Sequence, residues 1–519
     1  MAEKEYIVSL NKDVDYDQFW NEMENLSPTD NFVPSRRVDI VDNRDVSLRQ
    51  CHYSLTDEEA AHLKNDPRVY DVEEKTKFKP MKFSKQSGNF SKTTSDTGSY
   101  INWGLRRIVE STNVYGAGNT VSGDYLYSLD GTGVDVVIQD SGIQADHPEF
   151  QDAAGVSRVQ QINWFTASGV TGTQASNHYR DTDGHGTHVA GIVAGKTYGW
   201  AKNAKIYSVK VNGLDGGEGG GIADPACFDV IIGWHNNKPI DPTTGVKRPT
   251  IVNMSWGYGD YFYNINGGGY RNSAWTGTTR RTDYGMVGAY TGTYYAHGAR
   301  ISYIDVSIQE MITAGIHVTI AAGNNYMKID VPTGADYNNF YVGGYFNGAN
   351  PNYYHRGSSP YDNEAFLVGS VDSTTYSASL ERKSSFSECG PGVDLYAPGS
   401  NIMSCTSTTN SMSGQQYYLN PAYKQVNISG TSMAAPQVCG VGALVLQAFP
   451  GITPAQLKQY LLANCTENML YSTGLDDDYT NSYSIKGGSN KFLYSKLGNR
   501  DESVKTLGSI TLSNINIGH

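Results

Sequence analysis

Cysteine is scarce in this chain: six residues, Cys51, Cys227, Cys389, Cys405, Cys439 and Cys465, in 519. No two form a CxxC pair, which argues against a zinc knuckle or a dithiol redox motif. Even parity permits disulfides without requiring them, and reduced thiols are expected. An excess of positive charge is also missing. Lys and Arg number 40 against 52 Asp and Glu, for a net charge of -12. With no basic stripe, nucleic acid is not expected as the main partner. Long apolar runs are absent too. The amino terminus, MAEKEYIVSLNKDVDYDQF, has neither the apolar run nor the small-residue cleavage site of a secretory signal. The most apolar helix candidate, Ala434 to Phe449, is about four turns long and too short to span a bilayer. No membrane partner is therefore expected, and a virion, another assembly or the cell interior is the expected setting. HExxH is missing, which sets aside a zinc protease. G-x-S-x-G is missing as well, which sets aside a lipase or esterase.

What the chain has in quantity is glycine (57) and tyrosine (37), which suits a loop-rich fold with extended surfaces better than a helical bundle. Its length calls for two or three domains. From about residue 101 to 495, short apolar strands alternate with helices. GVDVVIQD, AKIYSVKV, TIVNMSWG and IHVTIAAGN read as buried strands. Helices are predicted from His185 to Ala194, Asp224 to Asn236, Ile304 to Ala314 and Ser432 to Phe449. Continuous apolar strands followed by helices indicate a parallel sheet covered on both faces. Functional groups then belong at the carboxyl ends of strands, where Asp140, Ser255 and Asn324 fall. Weakly periodic insertions interrupt this pattern, the largest from Tyr258 to Tyr303, with others near 163–180, 326–365 and 406–426.

Three segments carry the chemistry: VVIQDSGI around Asp140, DGHGTHVAG around His185 and NISGTSMAAP around Ser432. A serine hydroxyl at neutral pH is a poor nucleophile. It needs an adjacent base, and the base needs a carboxylate to hold its tautomer. Ser432 precedes an apolar helical start, where backbone N–H groups favour developing negative charge; alone it would read as an N-cap. His188 lies three residues beyond His185 on the same helical face, and a packed, hydrogen-bonded role suits it. No third ligand supports a zinc pair there. Asp183 reads as a turn residue.

The three segments, in the chain order Asp, His, Ser, resemble the subtilisin-like serine proteases. The resemblance implies an α/β fold, the three-layer subtilisin-like architecture with a mostly parallel central sheet. It also implies a serine endopeptidase working through an acyl-enzyme, with Asp140, His185 and Ser432 as triad and a protein or peptide as substrate. Asn324, in AAGNN, matches the family's oxyanion-hole asparagine; Asn325 fits an ordinary turn better. Ser255, Trp256 and Gly257 resemble one edge of the first-subsite pocket. The glycine-rich stretch with Gly217 and Gly219 resembles the opposing strand. Trp256 stands where many relatives carry a smaller apolar residue.

Residues 1–76 read as a small α+β unit. It has strands at Tyr6–Leu10, Val38–Val41 and Val69–Glu74, a helix at Tyr16–Met23, and a capped, acidic helix start at Thr56-Asp57-Glu58-Glu59. The order resembles the inhibitory propeptide of the family, which implies a zymogen whose own amino-terminal domain is an intramolecular inhibitor. Residues 77–100, rich in Lys, Ser, Thr and Gly, read as an exposed linker where maturation would cut. Asn102–Ile108 resembles the start of the mature enzyme, residues 487–494 resemble the closing segment, and 496–519 form a tail. The chain lacks the long calcium-binding loop of the bacterial subtilisins after HVAGIVAG, which resembles the proteinase K branch. No cofactor is required, and a structural calcium is compatible, with Glu149 a weak candidate ligand against a surface role. A second reading, a structural component of a virion or other large assembly carrying a latent, uncleaved protease fold, rests on the absent signal and the long Tyr/Gly-rich insertions.

Overall fold

The computed structural model describes residues 3–24, 32–43, 49–75, 84–345, 351–410, 412–472, 479 and 481–496. The chain divides into two compact units, Met1–Lys82 and Phe83–His519.

The first unit follows the order strand, helix, strand, strand, helix, strand. Its four strands pair antiparallel in the spatial order Asp39–Asn43, Gln50–Leu55, Lys4–Leu10, Val69–Glu74, the ferredoxin-like arrangement. Alternation in the first strand buries Tyr6, Val8 and Leu10, which pack with Phe19 and Met23 of the Tyr16–Glu24 helix. The second helix, Asp57–Leu63, starts on a full capping box between Thr56 and Glu59. This satisfies two orphan backbone donors at once.

An eight-stranded sheet is the centre of the second unit. Its spatial order is Thr466–Glu467, Lys491–Phe492, Leu395–Pro398, Phe366–Val371, His317–Ala321, Thr250–Met254, Asp135–Asp140, Lys205–Lys210. All neighbours run parallel except the first two. Every residue of Asp135–Asp140, Thr250–Met254, His317–Ala321 and Phe366–Val371 is buried, as a parallel sheet covered on both faces requires. The helices His185–Ala194 and Thr431–Ala448 pack on each other and on the sheet, and Ala226–Asn236 packs on Ser302–Thr313.

One expectation changes. The stretch 77–100 is not an exposed linker throughout. Ser84–Ser91 is a strand that pairs antiparallel with Thr120–Tyr127 along its whole length, and its end runs parallel to Tyr100–Asn102. Phe90, Ser91 and Lys92 are buried. The polar composition concealed this because the ladder is satisfied by backbone pairing, which needs no apolar pattern. The expected insertions at 258–303 and 326–365 pair with each other. Gly268–Tyr270 pairs with Phe340–Val342, which pairs with Pro351–Tyr353. Together the two segments bury their own core of Phe262, Ile265, Trp275, Met286, Met327, Tyr341 and Tyr354. The expected tail lies beyond the described residues from 497 onward.

Candidate active site

The chain leaves the Asp135–Asp140 strand for Lys205–Lys210 on one side and then crosses to Thr250–Met254 on the other. Such a reversal opens a crevice at the carboxyl ends of the strands, and Asp140 is the last residue of the switch strand. Its carboxylate is buried. Oδ1 accepts the Ser141 N–H at 2.7 Å and faces His185 Nδ1 at 2.8 Å. Burial works against the His185 imidazolium, but the Asp140 charge and hydrogen bond outweigh it and raise the histidine pKa above its ordinary value.

His185 opens a helix whose cap, Gly184, has no side chain and sits at φ +96°. A Cβ there would lie 2.6 Å from Thr406 Oγ1. The first backbone donors are therefore capped from elsewhere. Asp183 Oδ1 accepts from His185 N at 3.2 Å, Ser141 Oγ from Gly186 N at 2.8 Å and Asp181 Oδ2 from Thr187 N at 3.0 Å. Asp181 also accepts from Gly184 N, Thr187 Oγ1 and Ser141 Oγ. Sequence reasoning gave the histidine turn to Asp183 and missed Asp181 and Ser141. Their neighbourhood in DSGI and DTDGHG was the available signal.

Ser432 is the second residue of the Thr431–Ala448 helix, after the cap Gly430. Its hydroxyl donates to the Ser255 carbonyl at 3.1 Å, and the Ser255 hydroxyl donates back to the Ser432 carbonyl at 2.9 Å. The hydroxyl proton is therefore spent on a backbone acceptor. Asn324 stands beside it. Its Oδ1 accepts both the N–H (3.0 Å) and the hydroxyl (2.9 Å) of Thr431. Because a backbone N–H can only donate, this fixes the amide, with Nδ2 as its free end. Thr431, also unanticipated, takes the Gly323 N–H on its hydroxyl.

Ser432 and Asn324 line a cleft of about 240 Å³ together with Ser255, Trp256, Gly257 and Ser358. The Trp256 ring is flanked by Phe228 and Tyr258, with centroids 6.2 and 5.8 Å away. Asn325 lines the cleft as well, beyond the turn role expected of it. Gly217 and Gly219 are not among the lining residues. Both have positive φ, at +78° and +80°. Their loop packs on the histidine turn, where Thr182 Oγ1 donates to the Asp215 carbonyl.

His188 is buried, its Nε2 within 3.1 Å of the carbonyls of Ile402 and Val426. Burial holds its pKa down to about 3. Glu149 is neither a surface carboxylate nor part of a ligand cluster. It is fully buried, with Oε1 accepting from Tyr417 OH at 2.6 Å and Oε2 from Thr197 N at 2.8 Å. Among the described residues no group of three or more His, Cys, Asp and Glu side chains is placed to hold a metal ion. No described helix is long and apolar enough to cross a membrane. Among the described residues Cys227, Cys389, Cys405, Cys439 and Cys465 form no disulfide.

A crevice at the switch point, an Asp–His pair and a helix-borne serine in a cleft define a serine hydrolase site. The model of the subtilase family, peptidase S8, matches residues 131–483. The extracellular serine proteinase of Thermus sp. (strain Rt41A) is 28% identical over 429 residues, covering 82% of this chain and 73% of that protein. The cuticle-degrading protease of Metarhizium anisopliae is 28% identical over 439 residues, covering 84% and 79%. A crystal structure of a cold adapted subtilisin-like serine proteinase matches 76% of this chain and 99% of its own, with 26% identity and a TM-score of 0.46. The chain belongs to the subtilase family and is a subtilisin-like serine endopeptidase.

Proposed function

We propose that Asp140, His185 and Ser432 act as one catalytic unit that hydrolyses peptide bonds through an acyl-enzyme. The 2.8 Å contact between buried Asp140 and His185 Nδ1 carries this reading. A carboxylate at Nδ1 keeps the proton on that nitrogen and leaves Nε2 as the base. Ser432 Oγ exchanges the Ser255 carbonyl for His185 Nε2 when substrate binds; catalytic hydrogen bonds that are long in the free enzyme tighten in the complex. Oγ then attacks the scissile carbonyl carbon as Nε2 takes its proton. The resulting oxyanion lies at the helix start, within reach of the Ser432 N–H and Asn324 Nδ2. Collapse breaks the C–N bond, and Nε2 passes the proton to the departing amine. Water enters, gives a proton to Nε2 and attacks the acyl carbon, and the acid leaves as Ser432 regains its hydrogen. Ser255, Trp256 and Gly257 would line the first subsite beside Ser432.

The first unit would be the intramolecular inhibitor of a zymogen. Its separate core and βαββαβ order support that role. A cut ahead of Ser84 would remove it and leave the Ser84–Ser91 ladder intact. Intact mass over time, wild type beside Ser432→Ala with an unfolded protein as substrate, tests both parts. Wild type should shed the first unit and digest the substrate while the variant does neither. A full-length, inert wild type would overturn autonomous maturation.

A further inference from the structure

The insertion builds more than its own core. A second cavity of about 680 Å³ adjoins the cleft at Ser432, and the two share Tyr258 and Gly259 as lining residues. One further segment reaches both, with Ser358 in the cleft and Arg356 in the second cavity. The central sheet contributes none of this lining; it comes from residues 258–302 and 351–356, the segments that the sequence marked as insertions. An enzyme that reads an extended chain can use such an annex only for a side chain or terminus of its substrate.

The charges lining the cavity decide which kind. Arg300 is neutralised by Asp305, 2.7 Å away. Asp260 is buried and turned to backbone donors, accepting from Tyr261 N at 2.7 Å and Tyr345 N at 3.1 Å. His297 has both nitrogens engaged, with the Gly298 carbonyl and the Tyr341 hydroxyl. Arg356 differs: among the described residues no carboxylate pairs with it. Its guanidinium lies over the Tyr353 ring at 3.4 Å, with one donor on the Tyr337 carbonyl and one on Asn338 Oδ1. A guanidinium carries five N–H donors in a fixed fork. Here the stacking holds that fork rigid while most of its donors stay unused.

We propose that this cavity is an accessory subsite in which Arg356 holds an acidic side chain of the peptide substrate. The proposal rests on the catalytic reading above, since it takes the cleft at Ser432 as the place where the scissile bond lies. A half-buried, preorganised fork meeting a carboxylate is among the stronger polar contacts, worth on the order of tenfold in kcat/KM.

The test is a set of fluorogenic peptides in which Glu replaces Gln one position at a time on both sides of the scissile bond. Cleavage of the all-Gln parent by wild type and not by Ser432→Ala secures the catalytic site separately. The ratio of kcat/KM for Glu over Gln then decides the subsite. Wild type should show a ratio near tenfold at one position, falling toward unity in Arg356→Gln and shrinking in wild type as salt is raised. A ratio near one at every position overturns the proposal, as does a preference that survives Arg356→Gln. If Arg356→Gln does not fold, the salt series on wild type decides alone: a Glu preference unmoved by salt rejects an ion pair.

Discussion

Ser255 and Ser432 clasp each other through reciprocal hydrogen bonds, each hydroxyl donating to the other's carbonyl oxygen, at 2.9 and 3.1 Å. The clasp ties the strand end after Thr250–Met254 to the amino terminus of the long helix, and Asn253 Nδ2 extends it by donating to Ser255 Oγ at 2.8 Å. The free enzyme is therefore held with its nucleophile parked on a backbone acceptor.

Ser255→Ala removes half of that clasp and leaves the Ser432 carbonyl without its donor. Stability should fall by about 1 kcal/mol, the net worth of one such bond. Because the helix start shifts relative to the oxyanion donors, kcat should fall by roughly fivefold with KM little changed. Urea unfolding and steady-state kinetics on one peptide check this; a rise in KM at constant kcat would count against it.

Asp140→Asn should cost about 10⁴ in kcat, because an amide at Nδ1 no longer enforces the tautomer. The pH profile gives an independent sign. Burial alone would depress the His185 pKa, and Asp140 raises it above 6.5. A general base works only when neutral, so the acid limb of kcat/KM in wild type should lie above 6.5. In Asp140→Asn that limb should move to lower pH. An unmoved limb would mean that another group titrates.

Asn324→Ala should lower kcat by about 10²–10³, the usual loss for one oxyanion donor. Thr431→Val is the sharper test. It keeps the shape and the backbone N–H on Asn324 Oδ1 but deletes the second donor, the hydroxyl, so the amide is held less firmly. A kcat loss of roughly tenfold with unchanged KM is expected. Wild-type kinetics in Thr431→Val would show that the hydroxyl does not position the amide.

Asp336 anchors the insertion. It accepts from Arg271 at 2.7 Å, Lys328 at 2.9 Å and Tyr479 at 2.9 Å. Burial alone would raise its carboxyl, but these donors outweigh burial and hold it well below 3.8. A depressed folded pKa contributes stability that is present above 3.8 and lost as pH falls through the folded value. Asp336→Asn should cost about 3 kcal/mol at neutral pH, since it removes the carboxylate that Arg271 and Lys328 share. Its stability should also depend less on pH below 3.8. Denaturation of both chains across acidic pH checks this, and parallel curves would refute it.

Sequence alone made much of this legible. The runs VVIQD, IVNM and HVTIA each place apolar residues at adjacent positions, so both faces of the strand are apolar, as burial on both sides requires. Their ends located Asp140, Ser255 and Asn324. The Leu395–Pro398 strand is only four residues long, and Ser84–Ser91 is polar. Both are strands because a neighbour supplies their backbone partners, a condition that no local window contains.

What the sequence by itself determined is which groups react and on which elements they ride, since reactive side chains and buried strands are written in residue type and local period. Only the tertiary structure decided what orients them. Asp181 caps the histidine helix across a turn, and Thr431 fixes an amide 107 positions away. Arg356 lines one cavity with Tyr258 and Gly259, nearly 100 residues away along the chain. Hydrogen bonds and cavities depend on distances in space. Separation along the chain constrains those distances only where the backbone is regular.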